Sequence, residues 1–265
     1  MSDLLDIAIL ASIEAGKEIL KIYEDDKISF EGKKDDSPLT QADLNSNSVI
    51  MGFLDNTGIH IISEENKEVD FSTRKDWGTC WVVDPLDGTK EFIKKNGEFT
   101  VNIALVENGN PILGVIYVPV SRELYFSHAK MDGASKVILD ENHNIKGALF
   151  DIKNKISPSM GVGGTIRVVG SRSHMNEDTA NFVNHLKSKY GNVEIVSKGS
   201  SLKFCLVAEG KADIYPRFAP TMEWDTAAGQ AICSAVGLKV IAQDTNRSLL
   251  YNKENLLNPY FLVSN

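Results

Sequence analysis

The sequence predicts an α+β lobe followed by an α/β lobe, divided near residue 150 into segments 1–150 and 151–265. Three observations carry that expectation. Helical spacing precedes Ser63, a meander of short apolar strands lies between Cys80 and Ser127, and strands alternate with helices after Gly164.

Taken in order, Asp3 to Glu24 places Leu4, Ile7, Ala8, Ala11, Ala15, Ile19, Ile22 and Tyr23 at helical spacing, with Glu14, Lys17, Glu18 and Lys21 on the wet side. After a polar loop, Pro38 opens a second predicted helix through Asp43 and Ile50 to Leu54, because a proline suits a first helical turn. Asn56-Thr57-Gly58 stops it. His60-Ile61-Ile62 reads as a strand ending at Ser63-Glu64-Glu65. Cys80-Trp81-Val82-Val83 is a buried strand running into Asp84-Pro85. Phe99 to Leu105, Ile112 to Val118 and Glu123 to Ser127 form the meander, turned once at Glu107-Asn108-Gly109-Asn110. From Asp140 to Gly164 periodicity is lost and a loop is expected. Beyond it come strand Ile166–Val169, helix Asn176–Tyr190, strand Val193–Val196, helix Ser201–Glu209, strand Asp213–Tyr215, helix Asp225–Val236 and strand Leu238–Ile241.

The chain of 265 residues is 42% hydrophobic and 24% charged, the balance of an ordinary globular protein. A net charge of -8 argues against a nucleic-acid partner. An acidic protein that holds a phosphate ester needs a local positive charge, which a divalent metal supplies. Cys80, Cys205 and Cys233 are scattered and odd in number, which points to buried thiols in a reducing cytoplasm rather than a disulfide framework. The start Ser2-Asp3-Leu4-Leu5-Asp6 has no basic-then-apolar pattern, and no run spans a bilayer. The expectation is a cytoplasmic protein, monomer or homodimer. A peripheral contact with the cytoplasmic face of the inner membrane is neither required nor forbidden.

Chemistry concentrates in Asp84-Pro85-Leu86-Asp87-Gly88-Thr89. Two acids so close repel unless a cation neutralises them, and carboxylates with a backbone carbonyl are what magnesium takes. Gly88 lets backbone approach a ligand, and its amide with that of Thr89 suits an anion. Asp, Pro and Gly also favour turns, so the hexapeptide alone supports both a metal site and a turn. Glu64 and Glu65 end another strand, and Asp225 heads an alanine-rich helix with Ala227, Ala228, Ala231, Ile232 and Ala235. Singly, solvated glutamates and an N-cap aspartate are the commoner roles. Together these acid-bearing ends favour a multi-metal phosphate site.

Ser63-Glu64-Glu65, Trp81 to Thr89, and Trp224-Asp225-Thr226-Ala227-Ala228 resemble the lithium-sensitive, inositol monophosphatase-like superfamily of phosphatases. Asp87 to Ile93, Asn96 to Ala104, Gly199 to Cys205 and Tyr215 to Phe218 are similar to its 3'(2'),5'-bisphosphate nucleotidase branch. The resemblance implies an α/β/α/β/α layered sandwich with the site between two lobes. It implies two to three magnesium ions on Glu64, Asp84, Asp87, Asp225 and the Leu86 carbonyl, and an Asp43–Thr89 pair activating the attacking water. Gly88 and Thr89 would hold the phosphate being cleaved. Ser171, His174, Ser200, Lys203 and Arg217 would contact the nucleotide, and Glu64, Leu86, Asp87 and Asp225 would also line the substrate site. The implied reaction is hydrolysis of adenosine 3',5'-bisphosphate, with its sulfated form a second substrate, in sulfur metabolism. Read without the resemblance, Asp43 is a surface helical acid, Lys203 a solvated charge and His174 structural. Solvated charge is the usual fate of an arginine too, but Arg217 sits between Pro216 and Phe218 at a mostly apolar strand end, which favours a pointed role. Alternatives are an inositol or sugar phosphate phosphatase and a non-catalytic regulatory protein of the same fold.

Overall fold

This is a computed structural model, and residues 3–24, 30–32, 38–159, 164–170 and 176–265 are described. Helix α1 (Asp3–Tyr23) buries Leu5, Ala8, Ala11, Ser12, Ala15 and Ile19 along one stripe. Strands β1 (Phe30–Gly32) and β2 (Pro38–Thr40) then pair antiparallel. The helix expected from Pro38 therefore begins later, as α2 (Gln41–Leu54). A proline without an N–H fits the first position of an edge strand as well as a helical first turn, and the pairing with β1 decides the matter.

β3 (His60–Ser63) and a single turn, α3 (Phe71–Arg74), lead to β4 (Thr79–Asp87). β4 runs four residues past the expected end at Val83 and is followed at once by α4 (Thr89–Ile93). β5 (Thr100–Glu107), β6 (Asn110–Val118) and β7 (Glu123–His128) are the expected meander. It continues into β8 (Ala134–Ile138) and β9 (Lys155–Ile156), which the sequence did not suggest. One seven-stranded sheet results, ordered β3-β4-β5-β6-β7-β8-β9, parallel only between β3 and β4.

The sheet's two-residue period sorts its core. Trp81, Val83, Ile103, Leu105, Val115 and Phe126 pack with α1 and α2 on one face. Cys80, Val82, Ala104, Ile116 and Tyr125 pack on the other with the elements that follow. Those are β10 (Thr165–Gly170), α5 (Glu177–Tyr190, capped by Asn176), β11 (Asn192–Ser197), α6 (Leu202–Ala208), β12 (Tyr215–Arg217), α7 (Ala227–Ala235), β13 (Lys239–Ala242) and β14 (Phe261–Ser264). β10 and β11 pair in parallel, and β12, β14 and β13 form an antiparallel trio. A parallel bridge between Val168 and Ile214 joins the two groups. α6 and α7 lie between this second layer and the large sheet, sharing one core cluster with both. Val183 and Leu186 of α5 cover the outer side against Val168. The layering is helix, sheet, helix, sheet, helix, as the resemblance implied.

The strand expected at Asp213–Tyr215 is divided between two partners: the backbone of Asp213 and Ile214 bonds to Arg167 and Val169 of β10, and pairing with β14 begins only at Tyr215, as β12. β14 went unread because only four residues near the end of the chain form it. Among the described residues no helix is long and apolar enough to cross a membrane, and Cys80, Cys205 and Cys233 are buried free thiols.

Candidate active site

β3 and β4 run parallel with Ser63 beside Val83, so Glu64 and Asp84 emerge together, and the Glu64 amide donates to the Val83 carbonyl at 3.3 Å. Asp84 and Asp87 are three residues apart, a spacing that in a regular strand would send them to opposite faces. The pairing with β5 resolves this. Asp84 lies opposite Asn102 and Asp87 opposite Thr100, so β4 carries one extra residue and bulges between them. The bulge turns both carboxylates to one side. Pro85, which has no N–H to lose, sits inside it; its carbonyl accepts from Ser46 Oγ on α2 at 2.6 Å, and the Leu86 amide donates to Asp84 Oδ1 at 3.1 Å.

Asp225 arrives from the opposite side of the fold, just before α7, and its Oδ2 accepts from the Met222 amide at 2.7 Å. The N-cap position belongs to Thr226. One carboxylate oxygen from each of Asp84, Asp87 and Asp225 falls within 4.8 Å of the others, a group that could hold a metal ion. Burial pushes the Asp84 carboxyl well up, and the charges of Glu64, Asp87, Asp225 and Asp43 add to the push. Asp225 is pushed up to about 7, first by burial and then by Asp87. Asp84 Oδ2 is buried with no hydrogen-bond donor. Converging acids, one of them with a buried oxygen that has no donor, fit a hard divalent cation.

Asp43 is buried in the first turn of α2, not at the surface. Gly88 has φ +96° and ψ 43°, and a Cβ there would also meet Ser200 and the Glu98 carbonyl at 3.2 and 3.3 Å, so the position needs glycine twice over. Thr89 opens α4 directly after it.

Beside Asp87 and Asp225 lies a cleft of about 130 Å³ that also reaches Ser200, Lys203, Tyr215 and Arg217. Lys203 is buried, its Nζ donates to the Ser200 carbonyl at 2.5 Å, and burial brings its ammonium down to about 8. Arg217 is half-buried; one terminal nitrogen donates to the Pro220 carbonyl at 3.0 Å, and its Nε is buried without an acceptor. Neither is a solvated surface charge. Ser200 has φ +42° and its hydroxyl meets Thr100 Oγ1 at 3.2 Å. Ser171 and His174 lie outside the described residues.

Sequence reasoning missed the frame that holds Asp225. Glu223 is fully buried, and its carboxylate accepts from the amides of Asn252 and Lys253 at 2.6 and 3.0 Å and from Lys253 Nζ at 2.5 Å. Buried Arg74 ties the same segment from below, donating to Asn252 Oδ1 and to the carbonyls of Lys253 and Glu254. Asn258 Nδ2 reaches the Met222 carbonyl at 2.7 Å and Thr226 Oγ1 at 2.9 Å. Only contacts between distant segments reveal this frame, and no local pattern signals it.

The fold and this acid cluster define a metal-dependent phosphatase class, and the chain belongs to the inositol monophosphatase family, whose model matches residues 1–263. Within that family, the 3'(2'),5'-bisphosphate nucleotidase CysQ of Salmonella typhimurium is 41% identical over 254 residues, covering 94% of this chain and 95% of the relative. The crystal structure of CysQ from Bacteroides thetaiotaomicron superposes with a TM-score of 0.88 at 49% identity, over 100% of this chain and 97% of that one. The extragenic suppressor protein SuhB of Bartonella henselae, 22% identical over 99% of this chain and 93% of that one, shares the fold with a TM-score of 0.77.

Proposed function

We propose that this chain is a magnesium-dependent 3'(2'),5'-bisphosphate nucleotidase that converts adenosine 3',5'-bisphosphate to AMP and phosphate. One observation carries it: a single cleft is lined by two kinds of charge, the carboxylates Asp87 and Asp225 and the cations Lys203 and Arg217. A substrate with two phosphates matches that division. The phosphate to be cleaved sits toward the acids and the retained one toward the cations, Arg217 offering forked donors and Lys203 a point charge. The name of the Salmonella relative, 3'(2'),5'-bisphosphate nucleotidase, supports the same substrate class. The sulfated analogue, with the same 3'-phosphate, is a second substrate.

In the proposed site Glu64, Asp84, Asp87, Asp225 and the Leu86 carbonyl would hold two to three Mg²⁺ ions. Bound magnesium supplies positive charge for the phosphoryl oxygens and lowers the pKa of water. The chain does the rest. The amides of Gly88 and Thr89 orient the phosphate, and Thr89 Oγ1 takes the attacking water's proton while passing its own to the Asp43 carboxylate. The water oxygen forms the new P–O bond, and the bond to the ribose oxygen breaks. That oxygen takes a proton from solvent water to become the AMP hydroxyl, and Asp43 returns its proton to solvent. The three buried free thiols support the cytoplasm as the place of action.

The test is phosphate release from adenosine 3',5'-bisphosphate beside inositol 1-phosphate, with and without Mg²⁺. Magnesium-dependent turnover of the nucleotide is expected, and Arg217→Ala should raise its KM about tenfold or more while leaving a monophosphate little affected. Turnover of inositol phosphate alone would overturn the substrate, and no turnover across a broad panel would favour a regulatory binding protein.

The site's protonation gives a second check. Asp225 is raised from 3.8 to about 7 in the fold, and Asp84 is raised as well. A carboxyl whose folded pKa is above its unfolded value stabilises most while protonated, so metal-free protein loses stability as pH rises from about 4 toward 7. Mg²⁺ displaces those protons. The melting temperature gained on adding Mg²⁺ to EDTA-treated protein should therefore be larger at pH 8 than at pH 5, and an equal gain at both would count against ionised carboxylates as the ligands.

A further inference from the structure

Ser201 stands at the start of α6, is buried, and has no part in the reading above. Its Oγ lies 2.9 Å from Asp87 Oδ2 on β4, 2.9 Å from the Asp225 carbonyl ahead of α7, and 2.9 Å from Asn102 Nδ2 on β5. The chemistry of the neighbours fixes the direction of these bonds. A carboxylate and a carbonyl can only accept, so the single hydroxyl proton points to that side. The third neighbour must then donate, which sets the Asn102 amide with its NH₂ toward Ser201. Asn102 is itself placed by the bulge register, directly across from Asp84, and its Oδ1 is buried without a donor. One hydroxyl therefore joins the two acids that come from opposite sides of the site.

We propose that Ser201, supported by Asn102, is a positioning residue that holds the Asp87 carboxylate and the Asp225 backbone in register for the divalent cation. The inference rests on the metal-site reading above and adds to it the part that sets its geometry. A ligand carboxylate free to rotate gives up part of its affinity, and partners of this kind are typically worth about 10- to 100-fold in metal binding. Ser201→Thr keeps the hydroxyl, whereas Ser201→Ala removes it and leaves an Asn102 N–H without an acceptor.

The experiment is titration of Mn²⁺ alone into the metal-free full chain, following the free-ion electron paramagnetic resonance signal, with a melting curve for each variant. Ser201→Ala is expected to weaken Mn²⁺ binding about 10- to 100-fold, and Ser201→Thr to restore it to within about threefold of wild type. Wild-type affinity in a folded Ser201→Ala protein overturns the inference while leaving the metal site standing. A wild-type chain that binds no Mn²⁺ overturns both. Should Ser201→Ala fail to fold, Asn102→Leu, close in size, reads the relay from its other end: weakened binding supports the role, and unchanged binding refutes it.

Discussion

Asp87→Asn should lower kcat/KM for adenosine 3',5'-bisphosphate by about 10³-fold at saturating Mg²⁺, while raising the melting temperature of the metal-free protein. The first effect follows from losing one charged ligand where metal charge is worth several kcal/mol to a phosphoryl transition state, each decade of rate being about 1.4 kcal/mol. The second follows from the acid cluster itself. Asp87 is among the charges that push the carboxyls of Asp84 and Asp225 upward, so neutralising it relieves repulsion in the empty site. The substitution is nearly isosteric, and an asparagine oxygen still accepts from Ser201. Activity and stability moving in opposite directions is the signature of a functional acid cluster. Turnover within about threefold of wild type would remove Asp87 from the ligand set, and a fall in both quantities would make it a structural residue.

The acids of this cluster were legible because Glu64, Asp84, Asp87 and Asp225 each end an apolar strand or head an apolar helix. Although each has an ordinary structural reading alone, several such ends together point to one site. What joins them was not. Asp84 and Asp87 share a face only because β4 gains a residue against β5, and a bulge is a property of two strands that neither sequence carries alone. Ser201 was readable as a helix start, yet its bonds reach 114 residues to Asp87 and 99 to Asn102. The same holds for Glu223, buried under Lys253 from a segment with no periodicity of its own. Pro38 failed for another reason: its chemistry is shared by two kinds of element, and the partner strand made the choice. Short strands such as β9, two residues long, offer too few positions for alternation to show.

The second large effect lies away from the acids. Ala104, Gly114, Ser127 and Ala134 stand side by side across β5, β6, β7 and β8, forming a row of small residues on the sheet face under α7. α7 answers with its own small residues, and settles so deeply that a Cβ on Gly114 would meet the Ala228 carbonyl oxygen at 2.4 Å and Ala231 Cβ at 2.8 Å. Both obstacles are helix backbone or its first side-chain atom, so no rotamer change relieves them. Gly114→Ala must push α7 outward, and Asp225 sits two residues before that helix. Overpacking of this kind costs about 1–3 kcal/mol, or a fall of about 3–10 °C in melting temperature for a chain of this size. A displacement near 1 Å at a reacting site costs about 10²-fold in rate, so kcat/KM should fall by that order in protein that is still folded. Added Mg²⁺ should then raise the melting temperature less than in wild type. Reduced stability with wild-type turnover would show that the trough holds the fold without setting the position of Asp225. Wild-type values for both would mean that α7 does not sit as deep as Gly114 requires.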